Sequence, residues 1–217
     1  MHETVAAAAA CGTSPMVRVA EGKHWMIKRA LDAGAHGIMV PMIESVDDAR
    51  TVVEYSKFLP RGKQGFEALL AMDKPVSTAT DGQIRQLTGL EYLQQADEGL
   101  GIAIQIGTKG ALENIDAIAA IDGIDAFFIG PFDLSVNTGC PISGADEEDY
   151  APELGDAILR LYHAGKKNGK AVGVYCDTGA HGKAYAERGF QMISVVTDMV
   201  GLNKAVIGEF GLAGKVQ

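Results

Sequence analysis

Two kinds of segment alternate along the chain. Dense apolar runs of about five residues, the length of a strand buried on both faces, occur at Pro15–Val19, Gly37–Met42, Ile102–Ile106, Ala126–Gly130, Ala171–Tyr175 and Met192–Val196 and predict six strands. Between them apolar residues fall at helical spacing: Val46, Ala49, Val52 and Val53; Ala111, Leu112, Ile115, Ile118 and Ala119; Ala151, Leu154, Ala157, Ile158 and Leu161. Each set predicts a helix with one buried stripe.

Local signals agree. Ser45 with Asp48 has capping-box spacing, and Thr178 and Asp198 stand where N-caps are expected. Ala33-Gly34, Asn168-Gly169 and Arg188-Gly189 supply the glycine that closes a helix, and a strand follows each within a few residues. A βαβα order with short αβ turns implies a parallel sheet covered by helices, either a (β/α) barrel or a doubly wound sheet. No G-x-G-x-x-G stretch opens a helix after the first strand, which favours the barrel. From Leu59 to Gly101 the rhythm breaks into a long βα loop that carries a helix around Leu90–Gln95. In a barrel such loops build the active-site face.

Composition narrows the possible partners. The 217 residues carry 19 basic and 28 acidic side chains, a net charge of −9, and no basic run exceeds Lys166-Lys167. This excludes nucleic acid and anionic membrane surfaces as expected partners. Cys11, Cys140 and Cys176 are too few and too scattered for a disulfide framework or a zinc knuckle, so a reducing cytoplasm is the expected compartment. The start, MHETVAAAAA, reads as a helix rather than a leader, and no apolar run reaches the roughly 18 residues of a membrane span. A single soluble domain over 1–217 is the expectation.

Candidate chemistry sits where a parallel barrel keeps it, at the C-terminal ends of the strands. Arg18 interrupts the apolar MVRV, and its fork suits a carboxylate or an enolate oxygen; the alternative is a structural ion pair at the rim. Asp133 ends FFIGPFD, where Gly130 and Pro131 form a turn that suits a hard cation beside an anionic substrate; otherwise Asp133 caps a short Leu134–Asn137 turn. Gln105, a polar residue within IAIQI, is either a substrate contact or a satisfied core amide. His24, His163 and His181 read as helix-surface residues, and the run Asp146–Asp149 as a solvated helix start. Of the methionines, Met39 and Met192 read as core filler.

The stretches MVRV, IKRALDAGAHGIMVPM, LEYLQQAD and AIQI-x-T-x-x-ALENIDAIAAIDGIDAFFIGPFDLS follow one another in an order that resembles the HpcH/HpaI aldolase family, in a branch near macrophomate synthase. The likeness runs through almost the whole chain and is most specific at DGIDAFFIGPFDLS. It implies a (β/α)8 TIM barrel and a carbon–carbon lyase that works on pyruvate or oxaloacetate through an enolate. The implied cofactor is a divalent ion, Mg²⁺ first and Mn²⁺ or Co²⁺ otherwise. By position, Arg18 would stabilise the enolate and Gln105 would contact the keto acid. Gly130, Pro131 and Phe132 would hold its carboxylate, Asp133 would be a metal ligand, and Asp32 would partner the family's catalytic histidine. The family also implies a homo-oligomer, a hexamer built from dimers, with Leu202–Leu212 as an exchanged terminal helix.

Three departures accompany the likeness. The glutamate of the family's Q-I-E-T, its second metal carboxylate, is Gly107 here, which implies weakened metal affinity. The arginine of the R-G-x-G stretch is Gln64. The family's first two strands, with the D-x-E-H stretch that supplies its histidine, would precede Met1, in line with six predicted strands against the eight of a closed barrel. From these departures comes a second reading, a non-catalytic barrel remnant that acts as a binding or scaffold subunit.

Overall fold

The computed structural model describes residues 1–66, 88–140, 142 and 150–214. Six parallel strands form one sheet in strictly consecutive order. They are β1 (Met16–Arg18), β2 (Gly37–Val40), β3 (Gly101–Ile106), β4 (Ala126–Ile129), β5 (Ala171–Tyr175) and β6 (Met192–Ser194). A doubly wound sheet reverses its strand order and this one does not, so the architecture is the incomplete (β/α)8 barrel. The helices are α1 (His2–Ala10), α2 (His24–Asp32), α3 (Val46–Ser56), α4 (Gly89–Gly99), α5 (Lys109–Glu113), α6 (Ile115–Ala119), α7 (Pro131–Thr138), α8 (Pro152–Lys167), α9 (Gly179–Glu187) and α10 (Asp198–Ala213).

All six predicted strands form, each ending within about two residues of its apolar run, the usual uncertainty of a boundary. The Ser45–Asp48 capping box starts α3, and Thr178 Oγ1 accepts from the His181 backbone N–H at the start of α9. Gly34, Gly169 and Gly189 all take the left-handed conformation expected after a helix. Two expectations need correction. Thr197, not Asp198, caps α10, because its hydroxyl reaches the Val200 N–H. The stripe from Ala111 to Ala119 is two short helices that meet at Asn114, whose φ and ψ of −100° and 12° interrupt the helix.

The two faces of the sheet differ in what they bury. Ile38, Val40, Ile102, Ile104, Ile106, Phe127, Ile129, Val172 and Val174 join the large core beneath the helices. Gly165 on α8 belongs to this packing: a Cβ there would lie 2.6 Å from Val172 Cγ2, so the helix sits on the sheet only with a glycine at that point. Met39, Ala103, Ala126 and Phe128 face the other way, into the barrel interior, with Tyr175 and Met192 packed against them.

The start of the long loop is anchored by backbone and aromatic contacts. Lys63 N–H donates to Glu54 O, Gln64 N–H to Lys57 O, and Lys28 Nζ to Gly65 O. Phe58, Phe66 and Tyr92 form a ring cluster beside them. Buried Lys57 donates to the Asp97 carbonyl on α4, and desolvation lowers its pKa. Gln64 is buried in this joint without the arginine of the family pattern. Lys74-Pro75, Asp81-Gly82 and the acidic run Asp146–Asp149 lie outside the described residues.

Candidate active site

Strand register assembles the site. Arg18 at the end of β1 lies opposite Met39, and Met39 opposite Ala103, so these positions face the interior together. Gln105 stands two residues past Ala103 on the same face of β3 and pairs with Phe128. Arg18 Nε donates to Gln105 Oε1 at 3.0 Å, and Gln105 Nε2 donates to Asp133 Oδ2 at 2.7 Å. Both ends of the amide are therefore occupied, and the interruption of IAIQI is a site residue satisfied by two other site residues.

Asp133 belongs to the first turn of α7, which opens with Gly130 as N-cap and Pro131 next, where proline's missing N–H costs no hydrogen bond. It does not cap the helix; its carboxylate reaches back to Gln105. The helix N-terminus supports that negative charge. A Cβ at Gly130 would lie 2.9 Å from Gln105 Nε2 and 3.2 Å from Asp133 Oδ2, so any side chain there would displace the amide and the carboxylate from their present positions.

Arg18, Met39, Gln105, Phe128, Gly130, Pro131, Phe132, Asp133 and Tyr175 line one cavity of about 320 Å³. Phe132 forms its exposed lip, with 70% of its surface accessible. Arg18, Gln105, Gly130, Pro131, Phe132 and Asp133 thus come together as their positions along the strands suggested. Asp32 does not join them. It sits on α2, where Oδ2 accepts from Lys28 Nζ at 2.7 Å and Oδ1 is buried without a hydrogen-bond partner. There it lines a separate cavity with His2, His24, Trp25 and Lys28.

Tyr175 was missed from sequence as a site residue, although alternation along β5 puts Ala171, Gly173 and Tyr175 on the inner face. Burial raises its phenol pKa, and the charge of Asp177 and a hydrogen bond to it add to the rise. Two histidines also differ from expectation. His24 is half-buried, edge-on to Tyr55, and His181 is buried, while His163 is exposed as predicted.

The donor set fits a hard cation only sparingly. Among the described residues no three His, Cys, Asp or Glu side chains gather as metal ligands. Asp133 offers one carboxylate, and the glycines beside it, Gly107 and Gly130, add no side-chain donor; a Cβ at Gly107 would lie 3.0 Å from Asp133 Cβ and 3.9 Å from Asp133 Oδ2. One carboxylate with substrate and water oxygens is a donor set that Mg²⁺ accepts.

Comparison with known proteins identifies the family and the fold. A family profile described as HpcH/HpaI aldolase/citrate lyase matches residues 1–205. A hydroxypyruvate/pyruvate aldolase from Agrobacterium fabrum is 33% identical over 185 residues, which cover 85% of this chain and 64% of the relative. The chain thus spans a little under two thirds of that protein's length. Among solved structures, an HpcH/HpaI aldolase/citrate lyase family protein from Burkholderia cenocepacia superposes with a TM-score of 0.80 at 29% identity, covering 99% of this chain and 79% of the other. Macrophomate synthase superposes with a TM-score of 0.83 at 26% identity, covering 98% and 70%.

Proposed function

The chain belongs to the HpcH/HpaI aldolase/citrate lyase family, and from that premise we propose that it is a carbon–carbon lyase acting on pyruvate or oxaloacetate through an enolate. The hydrogen-bonded run Arg18–Gln105–Asp133 at the mouth of the barrel carries this reading. The substrate carboxylate rests against the first-turn N–H groups of Phe132 and Asp133, which have no partner within the helix. The keto oxygen takes the terminal nitrogens of Arg18, whose Nε is held by Gln105.

No histidine lines this cavity among the described residues, so the step these side chains suit is decarboxylation, which needs no general base. Carbon dioxide leaves from C4 of oxaloacetate, the bonding pair moves to C3, and negative charge gathers on the oxygen beside Arg18. A divalent ion, Mg²⁺ before Mn²⁺ or Co²⁺, would be held by Asp133 and would supply Lewis acidity to the keto acid. With Gly107 in place of a second carboxylate, its affinity falls by more than the ~10–100-fold typical of a lost outer-shell partner. Isothermal titration of Mg²⁺ or Mn²⁺ with pyruvate, alongside an oxaloacetate decarboxylation assay, tests the reading. It fails if pyruvate binding at millimolar concentration does not depend on metal.

Gly107 also favours the second reading, a binding-only barrel. In that case Gly107→Glu restores no activity, and a robust gain of activity argues against it.

A second copy of this chain is the expected partner. Helix α10 buries none of its residues and exposes Met199, Leu202, Ile207, Phe210 and Leu212, an apolar surface of the kind that marks an interface. We read it as the helix exchanged in a dimer. Size-exclusion chromatography with light scattering checks this, and a stable monomer refutes it. The three cysteines are free thiols, which supports a reducing cytoplasm.

A further inference from the structure

Loss of carbon dioxide from oxaloacetate leaves an enolate, which becomes pyruvate only when C3 gains a proton. The wall of the keto-acid cavity limits where that proton can come from. Arg18 is a guanidinium, a group that does not give up its proton in proteins. Asp133 accepts from Gln105 Nε2 as a carboxylate, and the Gln105 amide is not an acid. Apart from Tyr175, the other side chains around the cavity are apolar. Among the described residues that line it, the phenol of Tyr175 is therefore the one neutral acid.

The surroundings of Tyr175 suit the task. It stands half-buried at the end of β5, and it also lines a second cavity of about 310 Å³ that holds Asp177. Its hydroxyl donates to the Asp177 carboxylate and accepts from the Thr197 hydroxyl. Thr197 Oγ1 in turn accepts from the Val200 N–H at the start of α10, which leaves its own proton for the phenol oxygen. Burial first, and then Asp177, raises the phenol pKa above 10.0 and keeps the proton in place at neutral pH. Thr197 acts in the other sense and favours the phenoxide that a proton transfer leaves behind. With C1 of the keto acid at the start of α7 and its keto oxygen at Arg18, C3 is the remaining substituent of C2, and β5 is the next strand beyond β4.

We propose that Tyr175 gives C3 of the enolate its proton and that Thr197 stabilises the resulting phenoxide. The proposal rests on the keto-acid reading above and deepens it. The C3–C4 bond breaks, carbon dioxide leaves and the bonding pair forms the enolate. C3 then takes the phenol proton, the enolate oxygen becomes the keto oxygen again, and the phenoxide regains a proton from water. In reverse, the phenoxide removes a C3 proton from pyruvate.

That reverse step is the test. In D₂O with Mg²⁺, the full chain is followed by NMR for exchange of the pyruvate methyl protons, beside its decarboxylation of oxaloacetate. Wild-type exchange should still be climbing at pH 10.0, because it uses the phenoxide. The charged and titratable groups around the phenol are Asp177 and Cys176 at its own strand end, Lys204 on α10, and Arg18 and Asp133 in the shared cavity. Tyr175→Phe should lower the ratio of exchange to decarboxylation at least about 100-fold. Asp177→Asn, which removes a negative charge beside the phenol, should move the rise in exchange to lower pH. A tyrosine that only supports the strand end would change neither. A ratio in Tyr175→Phe within about threefold of wild type, an unmoved profile in Asp177→Asn, or wild-type decarboxylation without exchange overturns the proposal and leaves the lyase reading standing. A wild type that neither decarboxylates nor exchanges defeats the lyase reading, and this inference with it.

Discussion

Phe127 and Phe128 are neighbours in β4 with the same side chain and opposite surroundings. Phe127 is 0% exposed in the helix-covered core, whereas Phe128, at 7%, belongs to a small interior cluster and lines the cavity of Arg18 and Asp133. The outer face of the sheet is a closed apolar interior. On the inner face, small and polar residues leave room for a ligand, and the charges stand there. Stability and chemistry are thereby assigned to alternate residues of the same strands.

The largest expected effect that tests this division is on folding. Phe127→Ala should cost about 3–5 kcal/mol, and Phe128→Ala, which enlarges an existing cavity rather than opening a closed one, about 1–2 kcal/mol. Urea unfolding measures both, and equal losses would dissolve the distinction. Next, Arg18→Ala should lower oxaloacetate decarboxylation about 10²–10³-fold, a loss of about 2.7–4 kcal/mol from transition-state stabilisation. Its unfolding free energy should fall by only about 1 kcal/mol, because the exposed side chain gives up a single hydrogen bond to Gln105. A comparable loss of stability would place Arg18 with the structural residues. Gly107→Glu should tighten Mg²⁺ binding in calorimetry by at least about tenfold. Asp133 Cβ, 3.0 Å from the new Cβ, has to give way by a few tenths of an ångström for this to happen. Unchanged affinity would show that a carboxylate at position 107 does not reach the ion.

The smallest effect belongs to the outer layer at high pH. Burial, followed by the charges of Asp32 and Asp97, pushes the Tyr92 phenol up to about 12 from 10.0. A raised pKa means that the folded state holds its proton longer, so Tyr92 favours folding fully below pH 10 and loses that contribution as pH rises toward 12. Lys57 acts in the opposite sense, because its lowered pKa adds stability as pH climbs toward 10.5. Tyr92→Phe should therefore flatten the alkaline loss of thermal stability, and a profile identical to wild type would rule the phenol out as its source.

Much of this was legible in the sequence. The six strands were, because residues buried on both faces produce unbroken apolar runs. Arg18 and Gln105 stood out by interrupting such runs, and Asp133 by following a Gly-Pro turn. Tyr175 did not, since in a barrel strand an unbroken apolar run hides which face a residue takes. His181 was misread for a related reason. Helix α9, GAHGKAYAE, is made largely of alanine and glycine and has no apolar stripe to mark its inner side. Asp32 was legible as a family position, but its separation from Arg18 depends on how α2 packs, which no local pattern specifies.

Gln105 has one further consequence. A guanidinium and a carboxylate free to approach one another would close into an ion pair and cancel. The amide, oxygen toward Arg18 and nitrogen toward Asp133, works as a neutral spacer that ties each charge in place and keeps them apart. Both then remain available, one for an anionic oxygen and the other for a cation, so the polarity of the barrel mouth is set by a residue that carries no charge.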